Sequence, residues 1–290
     1  MHSYMDRNRP RPIYYLLPSL VLIGFFYIYA ILRLFPLSLY DAHTVKGLGG
    51  FIGLGNYREL LDPKYLVILF RTFVWVAGST LLVLPIAVAV ALVMNMQIPA
   101  RRILRVLILV SWSFPMAISA IMWKWLLHLE YGLVNQMLIL SGLIKEPISF
   151  LGVRYAFAVG VAARTWQSLP FGIMSILAAL QSIDESMYEA ALVDGANRTQ
   201  TFLRITLPLL GPTIKTTAII LAIWSITTFD LLWVLTEGGP LGRSEILPIT
   251  IYKQAFQSYD SGLAAAMSVV SLLFILVLAA MNFRSQSRNG

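Results

Sequence analysis

Long apolar runs separated by short polar segments form the dominant pattern of this chain. An α-helix rises about 1.5 Å per residue, so a run of about 20 residues crosses the roughly 30 Å hydrocarbon core of a bilayer. Six runs suit this length, near residues 13–37, 68–94, 105–127, 155–180, 213–235 and 261–283. The connecting segments are rich in Gly and Pro, for example 47–50 and 238–240, which predicts turns and loops rather than strands. We therefore expect an all-α, polytopic membrane protein with six transmembrane helices.

Composition strengthens the membrane prediction and excludes several functions. Apolar residues make up 58% of the chain and charged residues 12%, and the mean hydropathy is +0.74, so a soluble globule would expose too much hydrocarbon. The net charge of +8 is dispersed between the apolar runs, so nucleic acid is not an expected partner. With no cysteine, the chain has neither disulfides nor thiol catalysis. The first apolar run lacks a small-residue cleavage site, so we expect a retained helix instead of a signal peptide.

The distribution of Lys and Arg predicts that both termini are cytoplasmic. In that orientation the inside segments are 1–13, 95–105, 181–215 and 284–290. They carry more cations over a shorter total length than the outside segments do, as the positive-inside rule requires. The strongest local signal comes from Arg101, Arg102 and Arg105. The polar segment 181–212 is therefore expected in the cytoplasm.

Two ionisable residues, Arg164 and Asp230, fall inside predicted spans, where a charge is costly and usually faces a polar path or a partner. Helical rise places both in the outer half of the membrane, within reach of each other. Two interpretations stay open, a buried ion pair that fixes helix packing and contact with a transported solute. Gln167 and Thr227 add polar groups near the same depth, and Trp224 adds an aromatic face. These five residues are the substrate-pathway candidates.

Motifs for catalysis, nucleotide binding and metal binding are missing from the sequence. No Gly-x-x-x-x-Gly-Lys-Ser/Thr pattern occurs, so the chain is not expected to bind ATP. His2, His43 and His128 stand apart from other potential ligands, so no metal site is expected. A membrane-embedded transferase is disfavoured, because neither a paired Asp-rich motif nor a catalytic cluster is present. We expect no catalytic residue, no bound cofactor and no enzymatic activity in this chain.

The polar segment 181–212 predicts two short helices joined by a turn. Ser182 and Glu185 have the spacing of a capping box, so a helix is expected to begin there. Gly195 is expected to end it in a left-handed conformation. Small residues near the turn are expected to let a partner approach the backbone closely; they are Ala190, Ala191 and Ala196.

The same segment resembles the cytoplasmic coupling element of ATP-binding-cassette (ABC) importer permeases. The matching residues, at the spacing of that family, are Glu189-Ala190-Ala191, Gly195 and Ile205-Thr206-Leu207-Pro208. Other stretches are similar to the carbohydrate-uptake branch, and specifically to its maltose-type and glycerol-phosphate-type first permeases; they are 51–57, Trp166-Gln167, 177–183, 236–240, Tyr252 and Phe256. The resemblance covers nearly the whole chain. The extra amino-terminal helices and large outside domain of the maltose permease are missing, so a minimal six-helix version is expected.

The resemblance implies a type I ABC importer permease fold, with 1–290 as a single transmembrane domain in the cytoplasmic membrane of a bacterium or archaeon. It implies that 181–212 couples the chain to an ATPase, through Glu189, Ala190, Ala191, Asp194, Gly195 and Ala196. The implied partners are a second permease subunit, two ATPase subunits that bind ATP and Mg, an extracytoplasmic solute-binding protein and membrane lipid. The implied cargo is a sugar.

Alternatives to a sugar importer stay open at this point. An importer of the same superfamily that carries glycerol phosphate or another polar solute fits the same residues. A proton- or sodium-driven secondary transporter is less expected, because few charges lie within the predicted spans. Dependence of uptake on an ATPase separates these classes.

Overall fold

The structure, a computed structural model, describes residues 13–96 and 101–286, with side chains over 15–96 and 102–283. Its helices are α1 (Ile13–Ile23), α2 (Tyr29–Leu37), α3 (Gly55–Glu59), α4 (Pro63–Asn95), α5 (Arg101–Ser113), α6 (Met116–Leu126), α7 (Leu133–Leu140), α8 (Ala156–Gln181), α9 (Glu185–Val193), α10 (Arg198–Thr201), α11 (Leu207–Ile226), α12 (Asp230–Thr236), α13 (Leu247–Tyr252) and α14 (Ser261–Gln286). Short π-helical stretches occupy Gly24–Ile28, Phe202–Thr206 and Lys253–Gln257. An antiparallel hairpin pairs β1 (Tyr40–His43) with β2 (Gly47–Phe51).

Among the described residues, four unbroken helical stretches are long and apolar enough to cross a membrane. They are Tyr15–Leu37, Pro63–Asn95, Arg198–Ile226 and Ser261–Phe283. The pair α5 and α6 is a further candidate, bent by 101° between the two helices. With 26 residues α8 is long enough to span, although its polar side chains, including Arg164, lower its hydropathy. Each predicted apolar run therefore lies largely in helix, and the count of six spans stays a prediction. The terminal residues 1–12 and 287–290, which support the predicted orientation, lie outside the described residues.

The described residues divide into two compact units, which fall within 1–62 with 251–270 and within 63–250 with 271–290. In the first unit, Asn56 is buried and donates from Nδ2 to the carbonyl oxygens of Ser38 and Tyr40, at 2.9 and 3.0 Å. These bonds hold α3 against the start of the hairpin. A single domain over 1–290 stays a prediction.

The hairpin corrects the predicted loop at 47–50, because these residues form most of strand β2. The Gly content that indicates a loop has a different cause here. Gly47 makes the turn at a φ of +85°, and a Cβ on Gly49 would lie 2.4 Å from the carbonyl oxygen of Asp41. Glycine is therefore needed for the close approach of the two strands.

The second unit is built around the contact between α4 and α8. A Cβ on Gly172 would lie 2.9 Å from Val83 Cγ1 and 3.1 Å from Ala87 Cβ, so the two helices are in close contact at this glycine. Apolar residues on both sides of the contact are buried, including Trp75 and Ile176. This packing fixes the position of Arg164, which lies on α8 between the two apolar clusters.

Candidate functional site

A cavity of about 580 Å³ lies in the second unit, beside α8, where α5 gives way to α6 and α11 gives way to α12. Its lining residues are Trp112, Phe114, Pro115, Met116, Arg164, Gln167, Ser168, Trp224, Thr227, Thr228, Phe229 and Asp230. The five substrate-pathway candidates from the sequence are all in this set. They come from three separate helical segments, so the fold brings them together at one place.

Two interrupted helices create the space for this cavity. The first interruption is at Phe114–Pro115, where Pro115 has an extended conformation with φ −53° and ψ 146°. Proline removes a backbone donor and disfavours helix at the residue before it, which explains the end of α5 at Ser113. The predicted span 105–127 is therefore a bent pair of helices.

The second interruption divides the predicted span 213–235 at 227–229, although no Gly or Pro stands there. Thr227 and Thr228 supply hydrogen bonds to one carbonyl oxygen at the break, since their Oγ1 atoms both donate to that of Trp224, at 3.1 and 2.7 Å. Main-chain carbonyls at membrane depth need such partners because lipid supplies none. The break places Thr227 and Asp230 on the cavity wall.

Arg164 is 2% exposed and has no carboxylate partner among the described side chains. Its Nε donates to Ser225 Oγ at 3.4 Å and its Nη1 donates to Gln167 Oε1 at 3.5 Å. Both distances exceed the usual range of about 2.7–3.2 Å, so these bonds are weak. Nη2 is buried without an acceptor. The guanidinium is thus held in place without being neutralised.

Asp230 lines the same cavity but is exposed, and it forms no ion pair with Arg164 within the described part of the chain. The packing interpretation of these two residues would require such a pair. Contact with a solute remains the second interpretation, and it stays a prediction for all five candidates. Trp224 is 38% exposed and its ring centroid lies 4.6 Å from that of Phe171, so one face of the indole is supported by another ring.

Sequence reasoning missed Ser225, which is 2% exposed and provides the acceptor for Arg164 Nε. Its Oγ also lies 3.1 Å from Ser79 Oγ on α4. A single serine within an apolar run gives no sequence signal of such a role. Sequence reasoning also missed Trp112 and Phe229, which add aromatic surface to the cavity, because aromatic residues are common in membrane helices for other reasons.

The polar segment 181–212 contains α9 and α10, as the sequence predicts, but the N-cap of α9 differs from the prediction. Asp184, and not Ser182, caps the helix by accepting a hydrogen bond from the Ser186 N–H at 3.0 Å. This hydrogen bond lowers the pKa of the exposed Asp184 carboxyl below its usual value of 3.8. A capping box does occur, one helix later, between Asn197 and Gln200.

Gly195 adopts the predicted left-handed conformation, with a φ of +72°, directly after α9. The Ala196 N–H donates to the carbonyl oxygen of Ala191 at 2.9 Å, and the Gly195 N–H donates to that of Leu192 at 3.1 Å. These bonds close the C-terminus of the helix in the pattern of a Schellman motif. The turn is thus fixed by main-chain geometry and leads directly into α10.

The residues predicted to contact an ATPase divide into two groups. Glu189, Ala190, Asp194 and Gly195 are exposed, whereas Ala191 is 6% exposed. Ala191 is therefore buried within the chain, and the contact of all these residues with an ATPase stays a prediction. Two apolar side chains that sequence reasoning omitted are highly exposed, Leu192 at 76% and Val193 at 87%. The apolar run 190–193 between Glu189 and Asp194 was the sequence signal that could have indicated this exposed apolar surface.

A second cavity, of about 450 Å³, is formed mainly by residues of the polar segment 181–212. It is lined by Leu92, Tyr188, Leu192, Ala196, Arg198, Thr201, Phe202 and Thr206. Tyr188 Oη lies 3.3 Å from Thr206 Oγ1, which connects α9 to the π-helical stretch before α11. Ala196, predicted as a partner contact, is half-buried and faces this cavity.

Over 13–96 and 101–286 no group of three or more His, Asp and Glu residues is placed to hold a metal ion. The predictions that the chain binds neither a metal nor a cofactor stay predictions.

Residues 82–289 match the family described as binding-protein-dependent transport system inner membrane component. The chain belongs to this family. It is therefore a multi-pass membrane component of a transport system and is not itself an enzyme. Relatives with carbohydrates in their names match this transport component over most of their length.

Two relatives of this transport component carry names of solutes. The chain is 34% identical to the trehalose/maltose transport system permease protein MalF of Thermococcus litoralis over 268 residues, 91% of this chain and 88% of that protein. It is 32% identical to the sulfoquinovosyl glycerol transport system permease protein SmoG of Agrobacterium fabrum over 275 residues, 93% of this chain and 88% of that protein.

The fold is that of a type I ABC importer permease. A solved bacterial alginate ABC transporter, in complex with an alginate pentasaccharide-bound periplasmic protein, has a chain that matches with a TM-score of 0.81. The match covers 95% of this transport component and 93% of that chain, at 23% sequence identity. At this identity the likeness shows the fold.

Proposed function

We propose that this chain is a membrane-spanning subunit of an ATP-driven importer that carries a sugar delivered by an extracytoplasmic solute-binding protein. The cavity at Arg164 is the observation that carries the proposal. It combines donors on Arg164 and Gln167 with an acceptor on Asp230 and an indole face on Trp224. Sugar rings are bound by this combination of planar polar groups and aromatic faces.

The names of the relatives support a carbohydrate cargo. Trehalose, maltose, sulfoquinovosyl glycerol and alginate all contain sugar rings, and the proteins with these cargoes match this chain over most of its length. We propose that helices α8 and α11 line the path of the solute through the membrane.

The surface of the polar segment 181–212 supports the proposal of an ATPase partner. Glu189 and Asp194 are exposed beside the apolar side chains of Leu192 and Val193, which suits a groove lined by both cations and apolar groups. ATP and Mg are bound by two such partner subunits, and this chain contributes no nucleotide site. The segment and both termini are cytoplasmic in this proposal, in agreement with the distribution of Lys and Arg.

A second permease subunit completes the path. The helical stretches Tyr15–Leu37 and Ser261–Phe283 are apolar, and no residue of Tyr15–Leu37 is buried inside the chain. Lipid and a second permease cover such surfaces in this proposal.

The test is uptake in proteoliposomes that contain this chain, its partner permease, the ATPases and the binding protein. ATP-dependent sugar uptake is expected, and Arg164→Ala and Asp230→Ala are each expected to reduce it with normal complex yield. Because these two residues form no ion pair, the double variant is not expected to recover uptake or yield. Poor yield of each single variant, with recovery in the double variant, would instead support a packing role.

Coupling is tested separately with Glu189→Lys, which reverses a charge on the proposed ATPase contact. Its matched control is Glu146→Lys, the same change at an exposed position between α7 and α8. Loss of uptake and of ATPase association is expected for the first and not for the second. Uptake that continues without ATP would contradict the proposal and favour a secondary transporter.

A further inference from the structure

The charge of Arg164 is not neutralised within the described structure. A guanidinium stays protonated under all ordinary conditions, and a buried charge without a partner costs several kcal/mol. Arg164 is 2% exposed, and its hydrogen bonds go to the neutral groups of Ser225 and Gln167. Its Nη2 has no acceptor. A site with this arrangement provides a strong stabilisation for an anionic group that enters the cavity.

The N-terminus of α6 also lies at this cavity, and like Arg164 it favours a negatively charged group. Helix α6, 11 residues long, begins at Met116 on the cavity wall, and its N-cap residue Pro115 provides no side-chain cap among the described residues. The first N–H groups of a helix lack intrahelical acceptors and give its N-terminus a partial positive charge. The uncapped end of α6 therefore adds donors to the wall that Arg164 also lines.

Asp230 also lines this cavity, and its negative charge repels an anion. It is exposed, whereas Arg164 is buried, and the two do not pair. An acidic solute is therefore expected to have one orientation, with its anionic group towards Arg164 and its hydroxyl groups towards Asp230. Trp224 and Phe229 add aromatic rings to the same lining, and an aromatic ring can pack against the face of a sugar ring.

From these observations we infer that the cavity takes an acidic sugar, a ring that carries a carboxylate, sulfonate or phosphate group, with the anionic oxygens accepting hydrogen bonds from the Arg164 guanidinium. This inference rests on the proposed function, since it names the chemical class of the cargo at the same site. The long bonds to Ser225 and Gln167 allow the guanidinium to turn towards the cavity at small cost. A hydrogen bond between two charged groups then replaces two long bonds to neutral acceptors.

The experiment compares two probes that differ at one group, a disaccharide that contains glucuronic acid and its neutral counterpart, in which the carboxylate is reduced to a hydroxymethyl group. Binding to the complete permease–ATPase complex is measured by calorimetry in detergent without the binding protein, so that the binding protein's own specificity does not enter. The acidic probe is expected to bind at least about tenfold more tightly than the neutral one. Raising the salt concentration is expected to reduce this preference.

Variants of Arg164 and Asp230 test whether these two charged residues cause the preference for the acidic probe. Arg164→Gln is expected to lower the affinity for the acidic probe to that for the neutral probe, and Arg164→Lys is expected to retain part of the preference because it keeps the charge. Asp230→Asn removes a repulsive charge, so it is expected to raise the affinity for the acidic probe by at least about threefold. Since Asp230 is exposed, this variant does not depend on tolerance of a buried change.

Each other result overturns the inference. Tighter binding of the neutral probe, or an equal loss for both probes in Arg164→Gln, means that Arg164 donates to hydroxyl groups, and the proposed sugar importer then stands. A weaker acidic complex in Asp230→Asn also contradicts the proposed orientation. If neither probe binds and the complete system transports no sugar, both the inference and the proposed function are wrong.

Discussion

The indole Nε1 of Trp75 donates a hydrogen bond to the main-chain carbonyl oxygen of Ser225, at 3.0 Å, although 150 residues separate the two. Trp75 is 0% exposed and lies on α4, while Ser225 lies in the last turn of α11. The bond supplies an acceptor for a buried indole N–H and fixes the end of α11 beside the cavity. The hydroxyl of Ser225 is thereby positioned for Arg164.

Removal of that hydroxyl tests the support of Arg164. In Ser225→Ala the carbonyl bond to Trp75 stays, but Arg164 Nε loses its acceptor. We expect a loss of about 0.5–1.5 kcal/mol in stability, because one long hydrogen bond to a buried donor is removed. The measurement is the midpoint of thermal unfolding of the purified complex. Ser113→Ala, which removes an exposed hydroxyl bonded only to its own helix, is the matched control, and an equal shift for both would contradict the prediction.

Substitution of Gly195 tests the turn after α9. No atom lies within 4 Å of a Cβ at this position, so the penalty of Gly195→Val comes from the backbone, at a φ of +72°. The left-handed conformation costs an L-residue about 1–2 kcal/mol, and more for a β-branched one. We expect weaker ATPase association and slower uptake. Gly195→Asn is the control, since Asn tolerates this conformation, and it should retain most activity.

The contact of Gly172 with α4 predicts a stability loss on methyl addition. In Gly172→Ala the new Cβ meets Val83 Cγ1 at 2.9 Å and Ala87 Cβ at 3.1 Å, and neither atom can swing away. Overpacking of this kind costs about 1–3 kcal/mol. Gly78→Ala offers the comparison, because its Cβ would lie 3.6 Å from Val161 Cγ1, an ordinary contact. If both variants unfold at the same temperature, the close approach of α4 and α8 at Gly172 is wrong.

The cap of α9 predicts a pH dependence at the start of this helix. The folded pKa of Asp184 is lowered, so its contribution is complete above the unfolded pKa and is lost as the pH falls through the folded pKa. We expect hydrogen exchange at the Ser186 amide to lose protection below about pH 4. Asp184→Ala should show low protection at every pH, whereas Asp184→Asn keeps a capping oxygen and should show no such titration.

The sequence predicts well those features that depend on one local rule. The left-handed turn at Gly195 and the helical apolar runs follow from backbone sterics and from the cost of exposing hydrocarbon. The clustering of Arg164 and Asp230 at one cavity follows from the cost of a charge within a span.

Features that depend on tertiary context were missed. The break at 227–229 has no Gly or Pro to mark it, and the hydrogen bonds that Thr227 and Thr228 donate there depend on the folded geometry. The hairpin at 40–51 was hidden because glycines that allow close strand approach are also typical of loops. The support of Arg164 by Ser225 joins residues 61 positions apart, so no local pattern indicates it.

The glycine contact between α4 and α8 has a mechanical consequence for transport. Tightly packed interior surfaces resist sliding, so these two helices form a rigid pair, and Arg164 and Gln167 move only with that pair. The opposite walls of the cavity belong to helices that are already interrupted, at Phe114–Pro115 and at 227–229. We therefore expect a change in the volume of the cavity to come from the two interrupted helices, which contribute Trp112, Phe229 and Asp230 to its lining.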